Sequence, residues 1–272
     1  MISIITINLN NLEGLKRTAN SIIQLHNPAI IEWIVIDGGS TDGSVTYIKS
    51  IEKHITYWIS EPDKGIYHAM NKGAAVAKGD YLIFMNSGDY FAEGFPNADL
   101  FAQLQADVVY GDCIVTEDHQ HFRYEAQPEE LTLYNFYFGC ICHQASFIRR
   151  EVQLRFPYDE RMRYASCRKF FIESLILNNH SYKYINQPIA VYDANGVSAR
   201  HKVDLMKEIE EYLQSILPAR ILQDYAVLRE QKRIIDNSSL YPILKRMHPY
   251  RGWKKLFEKI VRFQFRLFFR DR

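Results

Sequence analysis

Acidic side chains follow three of the hydrophobic segments in the first 90 residues. Asp37 ends an apolar run and precedes two glycines, so a flat ring such as uracil can approach and donate an N–H to its carboxylate. Asp63 and Lys64 share a turn, where the lysine can offset diphosphate charge and the aspartate can reach a ribose or base. Asp89 ends the run Asn-Ser-Gly-Asp at 86–89, whose small residues leave room for a phosphate-bound cation. Turn and helix-cap chemistry also explains each cluster taken alone.

The elements around these clusters place them at one edge of a sheet. Strands are predicted at 2–7, 32–37, 55–59 and 80–85, with helices from residue 12, at 44–52 and at 66–77. Nearly continuous apolar strands that alternate with helices indicate a parallel sheet covered on both faces. Ligands bind at the carboxyl ends of such strands. The polar clusters at 8–11, 37–43, 60–65 and 86–89 therefore predict one site along that edge.

The remaining chain predicts shorter strands and more helix. Strands are expected at 108–110, 113–116, 121–124, 182–186 and 189–193, and a helix at 168–178. Residues 203–236 have the pattern of a long polar helix, broken near Pro218. We expect one domain at 1–200, with a nucleotide-binding half at 1–95 and an acceptor-binding half at 96–200. A helical extension follows at 201–272.

Four blocks, in this order along the chain, resemble family 2 glycosyltransferases, and most of all the bacterial enzymes of exopolysaccharide, colanic-acid and O-antigen biosynthesis. The blocks are 6–8, 35–43, 60–73 and 86–89. The likeness is strong over 1–95 and looser over 139–198. It implies the α/β fold called GT-A, a Rossmann-like and mostly parallel central sheet with flanking helices. The sequence adds amphipathic helices at the C-terminal end.

The resemblance also implies an activity. It indicates an inverting, metal-dependent hexosyltransferase of EC class 2.4 that uses a nucleoside-diphosphate sugar and Mg²⁺ or Mn²⁺. A UDP-sugar is the favoured donor and a GDP-sugar the alternative. Position by position, the implied nucleotide-binding residues are Thr6, Asn8, Asp37, Asp63, Lys64 and Ser87, and the implied metal ligand is Asp89.

The general base is the main departure from the family pattern. Relatives have an Asp where this chain has Cys167, and a thiol of ordinary pKa, about 8.5, is a poor substitute. Another Asp of the pattern is replaced by His68. Three interpretations stay open: Glu173 or Asp159 acts as the base, the enzyme is slow, or the chain only binds. His143, in a segment resembling the acceptor side of the family, is expected to contact the diphosphate or the acceptor.

Charge is unevenly distributed along the chain. The formal net charge is +1, yet residues 241–272 hold ten Lys/Arg and two Asp/Glu. The acidic remainder of the chain argues against nucleic acid as a partner, and the basic residues at 241–272 predict an anionic partner. On a helical wheel, 253–270 separates basic residues from Trp, Phe and Leu, as in helices that lie in an anionic membrane surface. Packing of this helix on the domain or in an oligomer is the alternative.

Several other classes are disfavoured. The four cysteines form no C-x-x-C pair, no G-x-G-x-x-G follows the first strand, and there is no P-loop, which argues against zinc-binding, dehydrogenase and P-loop proteins. No leader and no uncharged run of about 18 residues is evident. We expect a cytoplasmic protein, peripheral on the inner face of the membrane, acting in bacterial surface polysaccharide biosynthesis. The expected acceptor is a saccharide or, from the resemblance, a polyprenyl-diphosphate-linked one. The alternative is a catalytically degenerate nucleotide-sugar-binding or scaffolding subunit.

Overall fold

The computed structural model describes residues 1–25, 30–95, 100–194, 196 and 200–237. The chain divides into two compact units, Met1–Ile216 and Leu217–Arg272. The first unit is a mixed α/β domain that contains every polar cluster singled out above. The described part of the second unit is a single helix.

Four parallel strands form one half of the central sheet. They are β1 Ile2–Asn8, β2 Ile31–Asp37, β3 Tyr57–Ser60 and β4 Tyr81–Phe84, in the spatial order β3-β2-β1-β4. Every residue of β1 and β4 is buried, because helices cover both faces of the sheet. This burial explains why the strands read as continuous apolar runs.

Three helices connect these strands: α1 Leu12–Gln24, α2 Ser44–Ser50 and α3 Ile66–Val76. Asn11 caps α1, since its side-chain oxygen accepts the N–H of Gly14. Gly73 brings α3 close to the sheet, because a Cβ at this position would lie 2.4 Å from Cγ2 of Ile5. A larger residue at 73 would push α3, and the turn before it, away from β1.

The second half of the sheet is mixed. It contains β5 Tyr90–Phe91, β6 Val108–Thr116, β7 Phe122–Glu125, β8 Ser146–Arg149 and β9 Tyr182–Asp193. The order continues from β4 as β8-β6-β9-β5, and β7 pairs with β6. Strand β8 is antiparallel to β4 and to β6, whereas β9 runs parallel to β6. This arrangement brings the end of β9 beside the loop that follows β4.

The helices of this half are short. They are α4 Leu100–Gln103, α5 Leu133–Phe138, α6 Arg150–Arg155 and α7 Ser166–Phe171, and α7 continues as a π-helix over Ile172–Leu177. Two longer helices follow, α8 Lys202–Ile216 in the first unit and α9 Ala219–Asp236 in the second.

The α/β class predicted from the sequence is confirmed. The helix predicted at 66–77 is α3, and the polar helix broken near Pro218 is the pair α8 and α9. Three details were wrong. The strands predicted at 108–110 and 113–116 form the single strand β6. The strands predicted at 182–186 and 189–193 form the single strand β9, in which two register shifts opposite Gly111–Cys113 accommodate the break. The helix predicted at 168–178 is α-helical only to Phe171.

Helix α8 belongs to the first compact unit, which extends to Ile216 rather than to the predicted boundary at 200. Ile209 and Leu213 are both buried, so α8 contributes apolar side chains to that unit.

The predicted amphipathic helix at 253–270 lies outside the described residues. None of the helices within the described ranges is both long and apolar enough to cross a bilayer.

Candidate active site

Polar residues line the carboxyl edge of the parallel half-sheet. Asn8, Asp37 and Ser60 are the last residues of β1, β2 and β3 and lie in register across the three strands. The loop after β4 adds Asp89. The polar clusters that were predicted to meet at one edge of the sheet therefore do lie along this edge.

Asp37 organises the centre of this edge. Its Oδ1 accepts hydrogen bonds from Asn8 Nδ2 (2.7 Å) and from the Ser40 hydroxyl (2.6 Å). Its Oδ2 accepts from the backbone N–H groups of Gly39 and Ser40 and from the Ser60 hydroxyl (2.6 Å). Burial alone would raise the pKa of Asp37, but the hydrogen bonds from Ser40, Ser60 and Asn8 outweigh it and lower the pKa.

This network fixes the side chain of Asp37, which is predicted to contact the nucleobase. A carboxylate has about four lone-pair positions, and five donors surround this fully buried side chain. Asp37 therefore holds the loop that follows β2 in place. Thr6 is also fully buried, and its hydroxyl accepts the indole N–H of Trp33 at 3.0 Å. Its side chain belongs to the core. Asn8 keeps one buried oxygen, Oδ1, without a hydrogen-bond partner.

Asp63 presents the free acceptor that Asp37 lacks. Its side chain is only 8% exposed, and Oδ1 contacts Lys72 Nζ at 2.8 Å and His68 Nδ1 at 2.9 Å. The other oxygen, Oδ2, is buried and has no hydrogen-bond partner among the described residues. It lies 3.5 Å from the point that a Cβ on Gly38 would occupy. Lys64, the other predicted residue of this turn, is exposed.

Asp89 is buried at the end of the edge. Its Oδ1 accepts the backbone N–H of Asp193 at 3.0 Å, and its Oδ2 accepts from Gln144 Nε2 at 3.1 Å. Burial raises the pKa of Asp89 to about 6, although the N–H of Asp193, the nearby His143 and Gln144 all favour the charged form. A cation at this carboxylate would offset its desolvation.

Two further oxygen atoms suited to a hard cation belong to the same loop as Asp89. Asn86 Oδ1 and the Ser87 hydroxyl are both buried without a hydrogen-bond partner among the described residues. Mg²⁺ and Mn²⁺ prefer oxygen ligands, and a single carboxylate suffices when a diphosphate supplies other ligands. Across the described ranges, no group of three or more His, Cys, Asp and Glu residues is arranged to hold a metal by itself. The residues present therefore fit a cation that arrives with a nucleotide.

A second carboxylate, Asp193, lies close by at the end of β9. Its Oδ2 is 3.3 Å from the position of a Cβ on Gly88 and 3.2 Å from His119 Nε2. Arg17 Nη2 approaches the same oxygen at 3.9 Å. The proximity of Asp193 and Gln144 to Asp89 is not evident from the sequence, because β9 and the 3₁₀ turn His143–Ala145 reach Asp89 only through long-range strand pairing.

Cys167 lies in a cluster of groups that donate hydrogen bonds. The Tyr67 hydroxyl donates to its Sγ at 3.7 Å. Hydrogen bonds from Cys140 and from His143 lower the pKa of the Cys167 thiol well below its usual value, against the opposing effect of burial. His143 also lies near Asp89 and favours the charged form of that carboxylate.

The two carboxylates predicted as substitute bases are placed differently. Asp159 is held by two nitrogens of the Arg161 side chain, Nε and Nη2, at 2.9 and 2.8 Å, and by Lys169 at 2.7 Å. These bonds keep the pKa of Asp159 well below its usual range, which makes it a weak base. Glu173 lies 3.8 Å from the same Lys169. Neither carboxylate shares a described contact with Asp89.

Sequence comparisons identify the family of this chain. Residues 3–176 match the family described as "Glycosyl transferase family 2". An uncharacterized glycosyltransferase of Mycobacterium tuberculosis is 50% identical over 91 residues, which are 34% of this chain and 35% of that protein. A "PGL/p-HBAD biosynthesis glycosyltransferase" of Mycobacterium bovis is 29% identical over 216 residues, 75% of this chain and 81% of that protein. The first of these matches thus spans about a third of the relative's length.

Solved structures share the fold. The S. aureus TarS fragment 1–349 in complex with UDP has a TM-score of 0.60 at 16% identity, over 86% of this chain and 78% of that fragment. The same fragment in complex with UDP-GlcNAc has a TM-score of 0.59 at 17% identity, over 71% of this chain and 58% of the other chain. At such identities the likeness concerns the GT-A fold. The family match covers the whole polar edge and most of the domain, and this chain accordingly belongs to glycosyl transferase family 2.

Proposed function

We propose that this chain transfers a sugar from a UDP-sugar to a saccharide acceptor, with inversion at the anomeric carbon. The observation that carries the proposal is the loop after β4. There the buried Asp89 shares a loop with two buried, unpartnered oxygens, of Asn86 and Ser87, at the carboxyl edge of the sheet. A uridine nucleotide is supported by the TarS structures, which hold UDP and UDP-GlcNAc.

Asp89, together with Asn86 and Ser87, would hold a Mg²⁺ or Mn²⁺ ion. When bound, this ion neutralises charge that develops on the departing diphosphate. The protein keeps the carboxylate ready, since Gln144 and the N–H of Asp193 orient it from two sides. Ligand oxygens fixed before binding avoid the cost of ordering them during the reaction.

Cys167 is the group we assign to proton transfer. In an inverting reaction the acceptor hydroxyl forms a bond to the anomeric carbon while the bond to the diphosphate breaks, and a base takes the hydroxyl proton. Cys140 and His143 favour the thiolate form of Cys167, which can accept that proton. Asp159 and Glu173 contact Lys169 instead.

The transfer reaction tests this proposal. Purified full-length protein is incubated with Mn²⁺, a series of UDP- and GDP-sugars and saccharide acceptors, and release of UDP or GDP is measured. UDP release that requires Mn²⁺ and accelerates with one acceptor supports the proposal. Undetectable hydrolysis and transfer with every donor, despite tight UDP binding, would favour a binding or scaffolding subunit.

We further propose a lipid-linked acceptor at an anionic membrane surface. Support comes from the sequence of 253–270, where basic residues lie opposite Trp, Phe and Leu on a helical wheel. A polyprenyl-diphosphate-linked saccharide then serves as the acceptor in the assay above. A rate no higher than with the matching free saccharide would contradict this part of the proposal.

A further inference from the structure

Two of the four cysteines meet beside the proposed site of proton transfer. Cys140 follows helix α5 and Cys167 lies in the first turn of α7, and the Cys140 thiol donates a hydrogen bond to the Cys167 sulfur. Both are free thiols, Cys140 exposed and Cys167 partly exposed, so a small reagent can reach them from solvent. Sulfur atoms in such contact need only side-chain rotation to approach the S–S bond length of about 2 Å.

The two thiols differ in protonation. Hydrogen bonds from Cys140 and His143 lower the pKa of Cys167, against the opposing effect of burial, and the Tyr67 hydroxyl also donates to its sulfur at 3.7 Å. The same contact with Cys167 raises the pKa of Cys140 well above its usual value. One sulfur is therefore a thiolate while its neighbour keeps its proton. A thiolate beside a second thiol is the arrangement in which oxidation of a cysteine stays reversible.

The other two cysteines form a contrasting pair. The side chains of Cys113 and Cys142 also share a hydrogen bond, which together with burial raises the pKa of Cys142 well above its usual value. Cys142 donates to Gln144 Oε1 at 3.3 Å, and Cys113 is only 2% exposed. A protonated thiol beside a buried one is a poor nucleophile. Both pairs are in contact, but an accessible thiolate is a feature of the first.

We propose that Cys167 and Cys140 are a peroxide-sensitive pair, in which a hydroperoxide joins the two side chains in a reversible disulfide. The thiolate of Cys167 attacks one oxygen of the hydroperoxide, the O–O bond breaks, and the other oxygen takes a proton from solvent and leaves as water or an alcohol. Cys140 then attacks the sulfur of the resulting sulfenic acid, whose hydroxyl group leaves with the Cys140 proton as water. Two electrons pass from the thiols to the peroxide, and a dithiol reductant restores them.

The disulfide changes two features of the site. The sulfur of Cys167 can no longer accept a proton, and α7 becomes covalently linked to the segment that follows α5. Arg168 already joins these elements, since it donates to the backbone oxygens of Phe136 and Tyr137, so the link follows an existing contact. Formation of the disulfide is independent of the proposed function, whereas its expected effect, loss of sugar transfer, rests on that function and on Cys167 as the base.

Peptide mapping tests the chemistry without an enzyme assay. The folded full-length protein is treated with hydrogen peroxide, the remaining free thiols are alkylated, and the chain is digested with trypsin. Because trypsin cleaves after arginine, Cys167 lies in the peptide 164–168 and Cys140 in the peptide 124–149. We expect these two peptides to be joined and to be released from each other by dithiothreitol. Cys142→Ser should give the same joined peptides, which assigns the link to Cys140.

The transfer reaction then tests the consequence. Peroxide should lower the rate of UDP release by the wild type at least about tenfold, and dithiothreitol should restore it. Cys140→Ser retains a hydroxyl that can donate to Cys167 but cannot form the disulfide, so Cys167 should proceed to the sulfinic acid and the loss of rate should resist dithiothreitol. Cys142→Ser, which keeps a donor to Gln144, is the matched control and should respond as the wild type does. Each variant is compared with its own untreated rate.

The peptide map and the rates separate failure of the inference from failure of the proposed function. A joined peptide that contains Cys113 instead of Cys167, or no joined peptide at all, would overturn the inference whatever the transfer rates. A loss of rate in folded Cys140→Ser that dithiothreitol reverses as fully as in the wild type would overturn it as well. A disulfide that leaves transfer unchanged would overturn the proposed effect and contradict Cys167 as the base. If the untreated protein transfers no sugar, the proposed function fails, and the peptide map still decides whether the two thiols form the pair.

Discussion

The side chain of Asp37 shows how a single residue can shape the carboxyl edge of the sheet. It accepts five hydrogen bonds from the loop that follows β2 and from the neighbouring strand ends. Those bonds depend on its negative charge, which is why its pKa is lowered. Loss of the charge should loosen the edge on which the nucleotide lies.

We predict that Asp37→Asn lowers the free energy of unfolding by about 2–3 kcal/mol at pH 7, because the amide places N–H groups against donors. A carboxylate whose pKa is lower in the folded than in the unfolded chain stabilises the fold at pH values above its unfolded-state pKa, about 3.9. This stabilisation disappears as the pH falls through the folded-state pKa. The difference from wild type should therefore shrink below about pH 4. Urea unfolding at a series of pH values measures it, with the exposed Glu13→Gln as the control. A difference that stays constant down to pH 2 would contradict this assignment.

The role of Cys167 as the base can be tested against the two other candidate bases, Asp159 and Glu173. Cys167→Ala should lower kcat by about 10²–10⁴-fold, the usual contribution of a general base, with less effect on KM for the donor. Cys167→Asp, which restores a proton acceptor, should stay within about tenfold of wild type. Asp159→Asn and Glu173→Gln should change kcat little. A large gain in Cys167→Asp over a nearly inactive wild type would instead identify a degenerate enzyme.

At the scale of elements, helix α8 holds the segment that precedes α7. The Glu208 carboxylate accepts the backbone N–H groups of Arg163, Tyr164 and Ala165 at 2.7, 2.9 and 3.0 Å. Cys167 follows only two residues later, so a helix from beyond the predicted domain boundary helps to place the proposed base.

Glu208→Ala should therefore expose these three amides. We expect their hydrogen exchange to accelerate at least about tenfold, and kcat to fall while UDP affinity stays unchanged, because the nucleotide edge is formed by other elements. Glu211→Ala, on the same helix but exposed, is the matched control. Equal exchange rates in the two variants would show that Glu208 does not hold this segment.

The sequence predicted some elements much better than others. Strands β1 to β4 and helix α3 follow from local periodicity, since each covers a continuous run with its own start and stop signals. The long strand β9 and the approach of Gln144 and Asp193 to Asp89 do not, because they depend on pairing between segments 55 and 104 residues apart. The sequence also could not show that Asp63, unlike Asp37, keeps a carboxylate oxygen without a hydrogen-bond partner among the described residues. Only the hydrogen-bond network of the folded chain shows which oxygens already accept hydrogen bonds.

For the molecule as a whole, charge is distributed unevenly between residues 1–240 and the C-terminal residues 241–272. Residues 241–272 carry ten Lys/Arg and two Asp/Glu, although the chain as a whole has a net charge of only +1. An anionic surface attracts such a segment, by about 1 kcal/mol for each basic residue near it.

The full chain should co-sediment with vesicles that contain anionic phospholipid and should remain in the supernatant with purely zwitterionic vesicles. A chain ending at residue 237 should stay in the supernatant with both, while still binding UDP. Raising the salt concentration should weaken sedimentation, because the attraction is screened. Equal sedimentation of the two chains would contradict the assignment of this role to 253–270.

The most direct test of the central claim is calorimetric titration of UDP, with Mn²⁺ and with chelator, into the wild type, Asp89→Ala and Asp80→Ala. Asp80 is an exposed carboxylate next to the amino terminus, so its variant controls for charge alone. We predict that UDP binds the wild type and Asp80→Ala far more tightly with Mn²⁺, and that Asp89→Ala loses this metal-dependent gain. Unchanged, metal-independent affinity in all three proteins would contradict the metal site at Asp89, and absence of UDP binding would contradict the donor site itself.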